Sequence, residues 1–282
     1  MDGITIAGFE SLLNSNLALL AEQLAQQVYR PLPLMRIAVE KGNGESRGLS
    51  IPTVRDRIAQ AATLNVLEPV FEAQFEQCSF AYRKGRSWQQ AIHLVKEYYA
   101  QGYRWVVDAD IDAFFDSVPH DRLLSKVDQF IGDMSLRRLI GLWVKAETWD
   151  GGSLSCLIRG IPQGSVVSPI LANLYLDEFD EELLARGIRL VRYADDFLVL
   201  CKTQEKAREA EELTEEVLRR MSLELDEVDI VNFDQGFRFL GVIFCRSDTL
   251  IPFDKEKKQK RVIYMPPLLD MSEYRRSLAS CP

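Results

Sequence analysis

The sequence predicts an α+β fold, in which strands and helices share a core without regular alternation. The chain has 282 residues, of which 47% are hydrophobic, enough for one large domain or two subdomains. Apolar residues recur at helical spacing in several stretches, and short β-rich runs lie between them. These strands do not alternate one-to-one with helices, which argues against a doubly wound parallel sheet.

The first hundred residues are predicted to contain three helices and a hairpin. Leucines recur at helical spacing up to residue 29, where a Pro-x-Pro sequence ends the helix. Thr53 is a suitable N-cap, and Pro69 should bend or break the helix that Thr53 begins. The predicted segments are helix 9–29, strands 34–40 and 47–51 around a loop at 41–45, helix 53–75 and helix 87–99.

Beyond residue 100, strands dominate the pattern. A hydrophobic run from Arg104 leads directly into acidic residues. Pro169 is favourable in the first turn of a helix, and the acid-rich helix after Glu205 carries one apolar face. The predicted segments are strand 104–111, helix 121–145, a turn at 151–152, helix 168–184, a strand–turn–strand at 188–202, helix 205–221 and strands 228–233 and 237–245.

The composition disfavours several classes of protein. No apolar run approaches the ~20 residues of a membrane span, and the N-terminus does not resemble a signal peptide. The five cysteines form no CxxC pair, which is typical of reduced thiols in a cytoplasmic protein. Because there are only two histidines, we expect any catalytic metal to be a hard cation bound by carboxylates.

Charge is distributed unevenly along the chain. The formal net charge is −8, which at first argues against a nucleic-acid partner. Residues 205–234 alone account for −7, whereas residues 30–57 carry +3 and the segment 255–261 is basic. Such patches contact phosphates even in an acidic protein, although solvated surface charge is the ordinary interpretation of each patch alone.

Two acidic sequences point to metal chemistry. Strand periodicity places Asp108, Asp110 and Asp112 on one face, and Asp195 and Asp196 occupy a predicted turn between two hydrophobic strands. An Asp-Asp pair by itself is most simply a polar turn. If the strands are neighbours, however, the carboxylates converge, and such a cluster can hold two Mg²⁺ ions about 3.5–4 Å apart.

Ordered motifs around these acids resemble those of group II intron-like reverse transcriptases. The YADD sequence at 193–196 and the GIPQG sequence at 160–164, followed by SP, AN and YL, are similar to that family's palm motifs. A four-letter YADD is weak alone, but ordered blocks are specific. The matching blocks are 2–5, 47–57, 110–116, 160–176, 192–197 and 237–241.

The resemblance implies the right-hand fold of a polymerase. It predicts an antiparallel palm sheet with helices, a fingers subdomain of helices and a hairpin, and a thumb that is truncated or absent. The implied boundaries are fingers at 1–104, palm at 105–250 with a finger-associated insertion at about 120–155, and a connector or start of a thumb at 251–282.

The resemblance also implies roles in catalysis. Asp110, Asp195 and Asp196 correspond to the catalytic residues and metal ligands, with the carbonyl of Ile111 assisting, and the cofactor is two Mg²⁺ ions, for which Mn²⁺ can substitute. Phe115 corresponds to the steric gate that selects deoxynucleotides, although a core aromatic is the alternative interpretation.

Further residues correspond to substrate-binding positions. Arg47 and Arg57 would hold the triphosphate, with Arg55 a lesser candidate, because a guanidinium group donates two parallel hydrogen bonds to phosphate oxygens. Surface salt bridging, for example with Asp56, is the alternative. The other implied contacts are Gln163 and Gly164 with the template–nucleotide pair, and Phe239, Leu240 and Gly241 as the primer grip.

The sequence departs from the family pattern in one stretch. Residues 223–230 contain no lysine where the family usually has one, and pyrophosphate release is therefore expected to be slower. Asp112 occupies a position that is often basic.

The predicted function is RNA-directed DNA polymerisation with an RNA template, a DNA or RNA primer and deoxynucleotides. Residues 232–247 and the proline-containing tail resemble reverse transcriptases linked to CRISPR adaptation, which implies a CRISPR integrase, fused or separate, as a partner and spacer acquisition from RNA as the role. A stand-alone or truncated intron-derived reverse transcriptase is the alternative. A non-catalytic RNA-binding scaffold and a nucleotide cyclase with a related palm are also open, but the three aspartates and the PQG sequence disfavour them.

Overall fold

The computed structural model describes residues 2–40, 46–251 and 262–265, with only the backbone of 262–264. The predicted loop 41–45 and the basic segment 255–261 lie outside these residues, as does most of the predicted connector. The chain divides into two compact units, and the predicted boundary at residue 104 stays a prediction. The described residues of the first unit are 2–40, 46–69, 120–169 and 262–265, and those of the second are 70–119 and 170–251.

The elements mix helices and strands, as predicted for an α+β fold. In chain order they are α1 (Ile6–Glu10), α2 (Leu13–Ala25), β1 (Leu34–Glu40), β2 (Ser46–Ile51), α3 (Val54–Glu72), α4 (Trp88–Ala100), β3 (Trp105–Ile111), α5 (Phe114–Ser117), α6 (His120–Phe130), α7 (Met134–Val144), β4 (Glu147–Trp149), β5 (Leu154–Cys156), α8 (Ser168–Ala185), β6 (Arg189–Tyr193), β7 (Asp196–Cys201), α9 (Gln204–Arg220), β8 (Leu225–Asn232), β9 (Phe237–Phe239), β10 (Val242–Cys245), β11 (Asp248–Leu250) and β12 (Val262–Tyr264).

The first unit is organised around β1. This strand pairs along one edge with β2 in an antiparallel register that sets Met35 opposite Ile51. Its other edge pairs with β4 near Leu34 and with β12 near Val39. Alternate β1 side chains, those of Met35, Ile37 and Val39, are buried against β2 residues, as period-two alternation requires.

The second unit contains the antiparallel sheet β6-β7-β3-β8 and the small sheet β11-β10-β9. Valine and leucine side chains of β3, β6 and β7 share one apolar cluster with α4 and with aromatic residues of β9 and β10. This cluster rigidly supports the strands that carry the acidic residues. Both faces of β7 are buried, which explains its unbroken run of hydrophobic residues.

Several predicted elements differ from the observed ones. The predicted helix 9–29 is two helices, and 121–145 is divided where Asp133 caps α7 by accepting hydrogen bonds from two backbone amides. The predicted strand 237–245 is the hairpin of β9 and β10. Pro69 was predicted to bend or break its helix; the break is wrong, because α3 continues through Pro69, and the bend stays a prediction.

The described cysteines are unpaired thiols of two kinds. Cys78 and Cys201 are buried, whereas Cys156 and Cys245 are exposed. Burial raises the pKa of Cys201 to about 11. Cys78 lies beside Asp180, and burial also raises its pKa well above the usual value. Every helix in the described part of the chain is too short or too polar to cross a membrane.

Candidate active site

The antiparallel sheet of the second unit gathers the acidic residues at one end. Strand β3 is central, with β7 on one side and β8 on the other. Ala109 lies opposite Phe197, so the next residue of β3, Asp110, falls beside Asp196. The predicted convergence of these acids therefore follows from the strand register.

The two acidic positions have different surroundings. The side chain of Asp110 is exposed at the end of β3, and its Oδ1 accepts a hydrogen bond from the backbone amide of Ile111 at 3.0 Å. Asp195 and Asp196 are half-buried in the β6–β7 turn. Asp112 lies beyond the end of β3 and is exposed, so the predicted three-residue acidic face is shortened to Asp108 and Asp110.

A buried ion pair fixes the turn that carries Asp195. Arg192 and Asp180 are both fully buried, and Nε and Nη2 of Arg192 donate to the two carboxylate oxygens at 2.7 and 2.5 Å. Nη1 of Arg192 donates to the carbonyl of Ala194 at 2.9 Å and to Oδ1 of Asn173 at 3.1 Å. Ala194 itself has φ 65°, a conformation that only surrounding contacts hold in place for a non-glycine residue.

The electrostatics of the cluster favour protonation in the absence of a cation. Burial and then the charges of Asp108, Asp110 and Asp195 raise the pKa of Asp196 to about 7. Burial and the charge of Asp229 raise the pKa of Asp108 to about 6. The stretch without the family lysine forms β8, and its Asp229 lies directly opposite Asp108.

The residues fit a divalent cation by their charge but do not form a complete cage. Within residues 2–40, 46–251 and 262–265, no three or more His, Cys, Asp or Glu side chains converge in a metal-binding arrangement. Mg²⁺ is usually bound by one or two carboxylates together with water and substrate phosphates. A cation also relieves the repulsion that raises the pKa of Asp196. The cluster therefore fits ions that are partly coordinated by substrate.

Phe115 lies on α5, five residues after Asp110. It is half-buried and makes an edge-on contact with the fully buried Phe114, with the ring centroids 5.4 Å apart. Ala113 precedes this helical turn with φ 41°. Phe114 is thus the core aromatic of the pair, and part of the Phe115 ring remains accessible.

The three predicted arginines of the first unit differ in their contacts. Arg55 is occupied: its Nη2 donates to the carbonyl of Arg30 at 2.5 Å and pairs with Asp56 at 3.3 Å. Nε of both Arg55 and Arg57 is shielded from solvent and has no hydrogen-bond partner among the described residues. Arg47 is half-buried on β2, opposite Val39. Because its Nη2 is engaged by Arg30 and Asp56, Arg55 is less available than Arg57 to an external anion.

The segment with Gln163 and Gly164 forms an irregular loop in the first unit. The backbone amide of Ser50 donates to the carbonyl of Gln163 at 2.6 Å. Gly164 has φ 109°, and a Cβ there would lie 2.9 Å from the carbonyl oxygen of Ser50. Glycine is thus required both by its conformation and by the close approach of β2.

The predicted primer-grip residues form the β9–β10 turn. Phe239 is buried in the apolar cluster, whereas Leu240 and Gly241 form a two-residue loop with φ values of 50° and 78°. Positive φ at both positions defines a type I′ turn, which matches the twist of a hairpin. Only the turn residues are therefore placed to contact a ligand.

Sequence patterns did not identify three buried polar residues near these segments. Asp180 pairs with Arg192, Gln60 binds the loop after Gly164, and Asp56 accepts hydrogen bonds from Tyr29, Thr53 and the amide of Leu32. A polar residue at an otherwise apolar helical position was the available signal, because buried polar groups need partners.

A sheet that presents paired carboxylates at a tight turn is the arrangement expected at the centre of a polymerase-like nucleotidyltransferase. Residues 39–244 match the family model of "Reverse transcriptase (RNA-dependent DNA polymerase)". The chain therefore belongs to the reverse transcriptase family.

Two relatives illustrate this relationship. Protein YkfC of Escherichia coli strain K12 is 32% identical over an alignment that covers 86% of this chain and 74% of YkfC. The group II intron-encoded protein LtrA of Lactococcus lactis is 34% identical over 61% of this chain and 28% of its own length. This chain thus spans little more than a quarter of LtrA.

Two solved structures are similar to this chain, one mainly in sequence and the other mainly in fold. A partial Cas6-RT-Cas1–Cas2 complex is 33% identical over 73% of this chain and 36% of the matched chain, with a TM-score of 0.44. Apo telomerase from Candida tropicalis, truncated from its C-terminal domain, is 11% identical over 86% of this chain and 60% of its own, with a TM-score of 0.56. The telomerase match supports the polymerase-like fold alone.

Proposed function

We propose that this chain copies RNA into complementary DNA by two-metal phosphoryl transfer at Asp110, Asp195 and Asp196. The observation that supports this most directly is the carboxylate cluster, in which burial and then repulsion between the carboxylates raise the pKa of Asp196 to about 7. The chemistry that two bound divalent ions supply is activation of the attacking oxygen and stabilisation of charge on the leaving group.

Residues of this chain would hold and orient the reactants. The exposed carboxylate of Asp110 and the half-buried Asp195 would bind the ions, with Asp196 and the carbonyl of Ile111 beside them. Arg57 and Arg47 would bind the triphosphate through their guanidinium groups. Gln163 and Gly164 would contact the template–nucleotide pair, and the Leu240–Gly241 turn would contact the primer.

The test is primer extension on an RNA template with a matched pair of variants. Asp195→Ala should lower the rate by orders of magnitude while the fold survives, because it removes a proposed metal ligand. Asp112→Ala is the control, because it removes an exposed carboxylate that lies just beyond the end of β3. This variant should extend the primer at the normal rate. Normal extension by folded Asp195→Ala would refute the metal-ligand role and favour an RNA-binding scaffold.

Sugar selection provides an independent test of Phe115. Its half-buried ring, packed against Phe114, would clash with a 2′-hydroxyl. Phe115→Val should therefore admit ribonucleotides with a modest loss of deoxynucleotide use. Phe114→Leu, at the fully buried neighbour, should change stability instead. Unchanged discrimination in Phe115→Val would assign the residue to packing.

At a finer level, we propose that the DNA product supplies a CRISPR integrase with spacers copied from RNA. The resemblance of residues 232–247 to integrase-linked reverse transcriptases supports this role. The test is co-purification with an integrase encoded nearby, followed by sequencing of newly acquired spacers. Spacers that cross splice junctions should appear only with active enzyme. Their absence would leave a stand-alone intron-derived reverse transcriptase.

A further inference from the structure

The Gln163–Gly164 loop has an exposed tip between anchored ends. Gly164 is exposed and Gln163 half-buried, whereas the flanking Ile161 and Ser165 are buried. Before the tip, the buried His120 binds the carbonyl of Gly160, with Nε2 and the oxygen 2.7 Å apart. A short irregular segment of this kind takes its conformation from its anchors, since it has no ladder of its own.

The anchor after the tip is the side chain of Gln60 on α3. This residue is 1% exposed, and its Oε1 accepts hydrogen bonds from the Ser165 hydroxyl at 2.9 Å and from the Val166 amide at 2.8 Å. One oxygen thus satisfies donors of the two residues that directly follow Gly164. Removing it would leave the buried Ser165 hydroxyl and the half-buried Val166 amide unpaired, which is costly.

The same helix carries one of the proposed triphosphate ligands. Arg57 precedes Gln60 by three positions, and residues three apart are neighbours on one helix face. The Asp56 carboxylate in turn accepts from Thr53, Tyr29 and the amide of Leu32, which fixes the start of α3. Any shift of α3 would therefore displace Arg57 and the Gln163–Gly164 loop together.

We propose that Gln60 is a positioning residue for nucleotide binding, which holds Gln163 and Gly164 in register with Arg57. This inference rests on the proposed polymerase function. Gln60 does not touch the nucleotide in this mechanism; it acts through the loop. A purely structural role would stabilise the first unit without a specific effect on nucleotide affinity.

The experiment compares three variants of the full chain. Gln60→Met keeps the length of the side chain but removes the acceptor oxygen, and Gln60→Glu retains an acceptor. Thr148→Val is the control, because it removes two part-buried hydrogen bonds to Ser155 in the same unit without touching the loop. Hydrogen exchange of peptides covering 160–168 and the KM and kcat for single deoxynucleotide incorporation are measured for each.

Gln60→Met should increase the exchange rate of the loop amides and raise KM for the deoxynucleotide about tenfold, with a smaller change in kcat. Gln60→Glu should restore both values toward those of the unaltered chain, and Thr148→Val should leave both unchanged. If Gln60→Met does not fold, Ser165→Ala removes one of the two hydrogen bonds from the loop side and should give a partial effect.

The inference would be overturned if folded Gln60→Met showed the same hydrogen-exchange rate in peptides 160–168 as the unaltered chain. It would also be overturned if Thr148→Val raised the KM for the deoxynucleotide as much as Gln60→Met does. Failure of Gln60→Glu to restore loop protection would overturn it as well. Failure of the proposed function is distinguishable: the unaltered chain would then incorporate no deoxynucleotide, while hydrogen exchange would still show whether Gln60 holds the loop.

Discussion

At the scale of single residues, the acidic cluster that would bind metal ions lowers the stability of the protein when no ion is bound. Asp196 lies half-buried near three other carboxylates, and Asp229 faces Asp108 across the sheet. Like charges at such distances destabilise a fold unless protons or cations neutralise them. The cluster is therefore a local weakness of the apo protein that a divalent cation should remove.

This weakness predicts a pH-dependent stability. The folded-state pKa of Asp196, about 7, lies above the value of about 3.9 expected in the unfolded chain. The folded protein thus takes up a proton as the pH falls through about 7, and the free energy of unfolding should rise between about pH 8 and pH 5. Thermal unfolding without divalent ions measures this.

Asp196→Asn should flatten the pH dependence of the melting temperature and raise its value at alkaline pH. Adding Mg²⁺ to the unaltered protein should have a similar effect at alkaline pH, because the cation favours the ionised carboxylates. An identical pH profile for Asp196→Asn and the unaltered protein, both without metal, would assign the pH dependence to other groups.

Gly164 supports a second prediction at this scale. Gly164→Ala should destabilise the protein by about 1–3 kcal/mol, because alanine is strained at positive φ and its Cβ would lie 2.9 Å from the Ser50 carbonyl. Gly187→Ala is the control: φ there is 78°, but nothing lies within 4 Å of the added Cβ. Chemical denaturation measures both, and equal losses would show that the close approach is unimportant.

At the scale of elements, the β6–β7 turn depends on a buried charge network. Asp180 and Asn173 project from α8 to Arg192, which in turn holds the carbonyl of Ala194. Asn173 also donates to the carbonyl of Ala81 at 2.8 Å. The asparagine of the AN sequence is thus explained by support of the turn rather than by contact with substrate.

Loss of one partner of this network should be severe. Asp180→Ala should cost about 3–5 kcal/mol, because it leaves the fully buried Arg192 without its counter-charge. Glu182→Ala, which removes largely exposed pairs with Arg186 and Arg220 on the same helix, should have little effect. Denaturant unfolding compares the two, and a loss below about 1 kcal/mol for Asp180→Ala would contradict the network's importance.

How far the sequence predicts these elements depends on the range of the interactions. Strand periodicity and motif spacing located β3, β6 and β7 because those signals are local. The Arg192–Asp180 and Gln60–Ser165 contacts join residues 12 and 105 positions apart, and only the fold brings them together. The β9–β10 turn was missed because Leu240 is an unusual residue for positive φ, whereas Asn or Gly is the expected signal.

At the scale of the whole molecule, charge is the feature that fits a polymerase least. The net charge is −8, and α9 with its flanking strand contributes most of it. Glu205, Glu212 and Glu216 of α9 are exposed to solvent. Their field should slow the approach of a nucleic acid, and the proposed contacts at local arginines would have to retain it.

Neutralising α9 should therefore improve nucleic-acid binding at low salt. The combined variant Glu205→Gln, Glu212→Gln and Glu216→Gln should bind an RNA–DNA duplex faster than the unaltered protein at about 0.05 M salt. The difference should largely disappear near 0.3 M, where screening is strong. Stopped-flow fluorescence measures association, and a salt-independent gain would point to a local contact with α9 rather than a long-range field.

The cysteine distribution makes the protein suitable for spectroscopy without engineered attachment sites. Cys156 and Cys245 are accessible, one on each unit, whereas Cys78 and Cys201 are shielded and have raised pKa values that suppress thiolate formation. With Cys281 changed to serine, maleimide dyes should react selectively at the two exposed thiols. Each dye would then report on its own unit without a new cysteine being introduced.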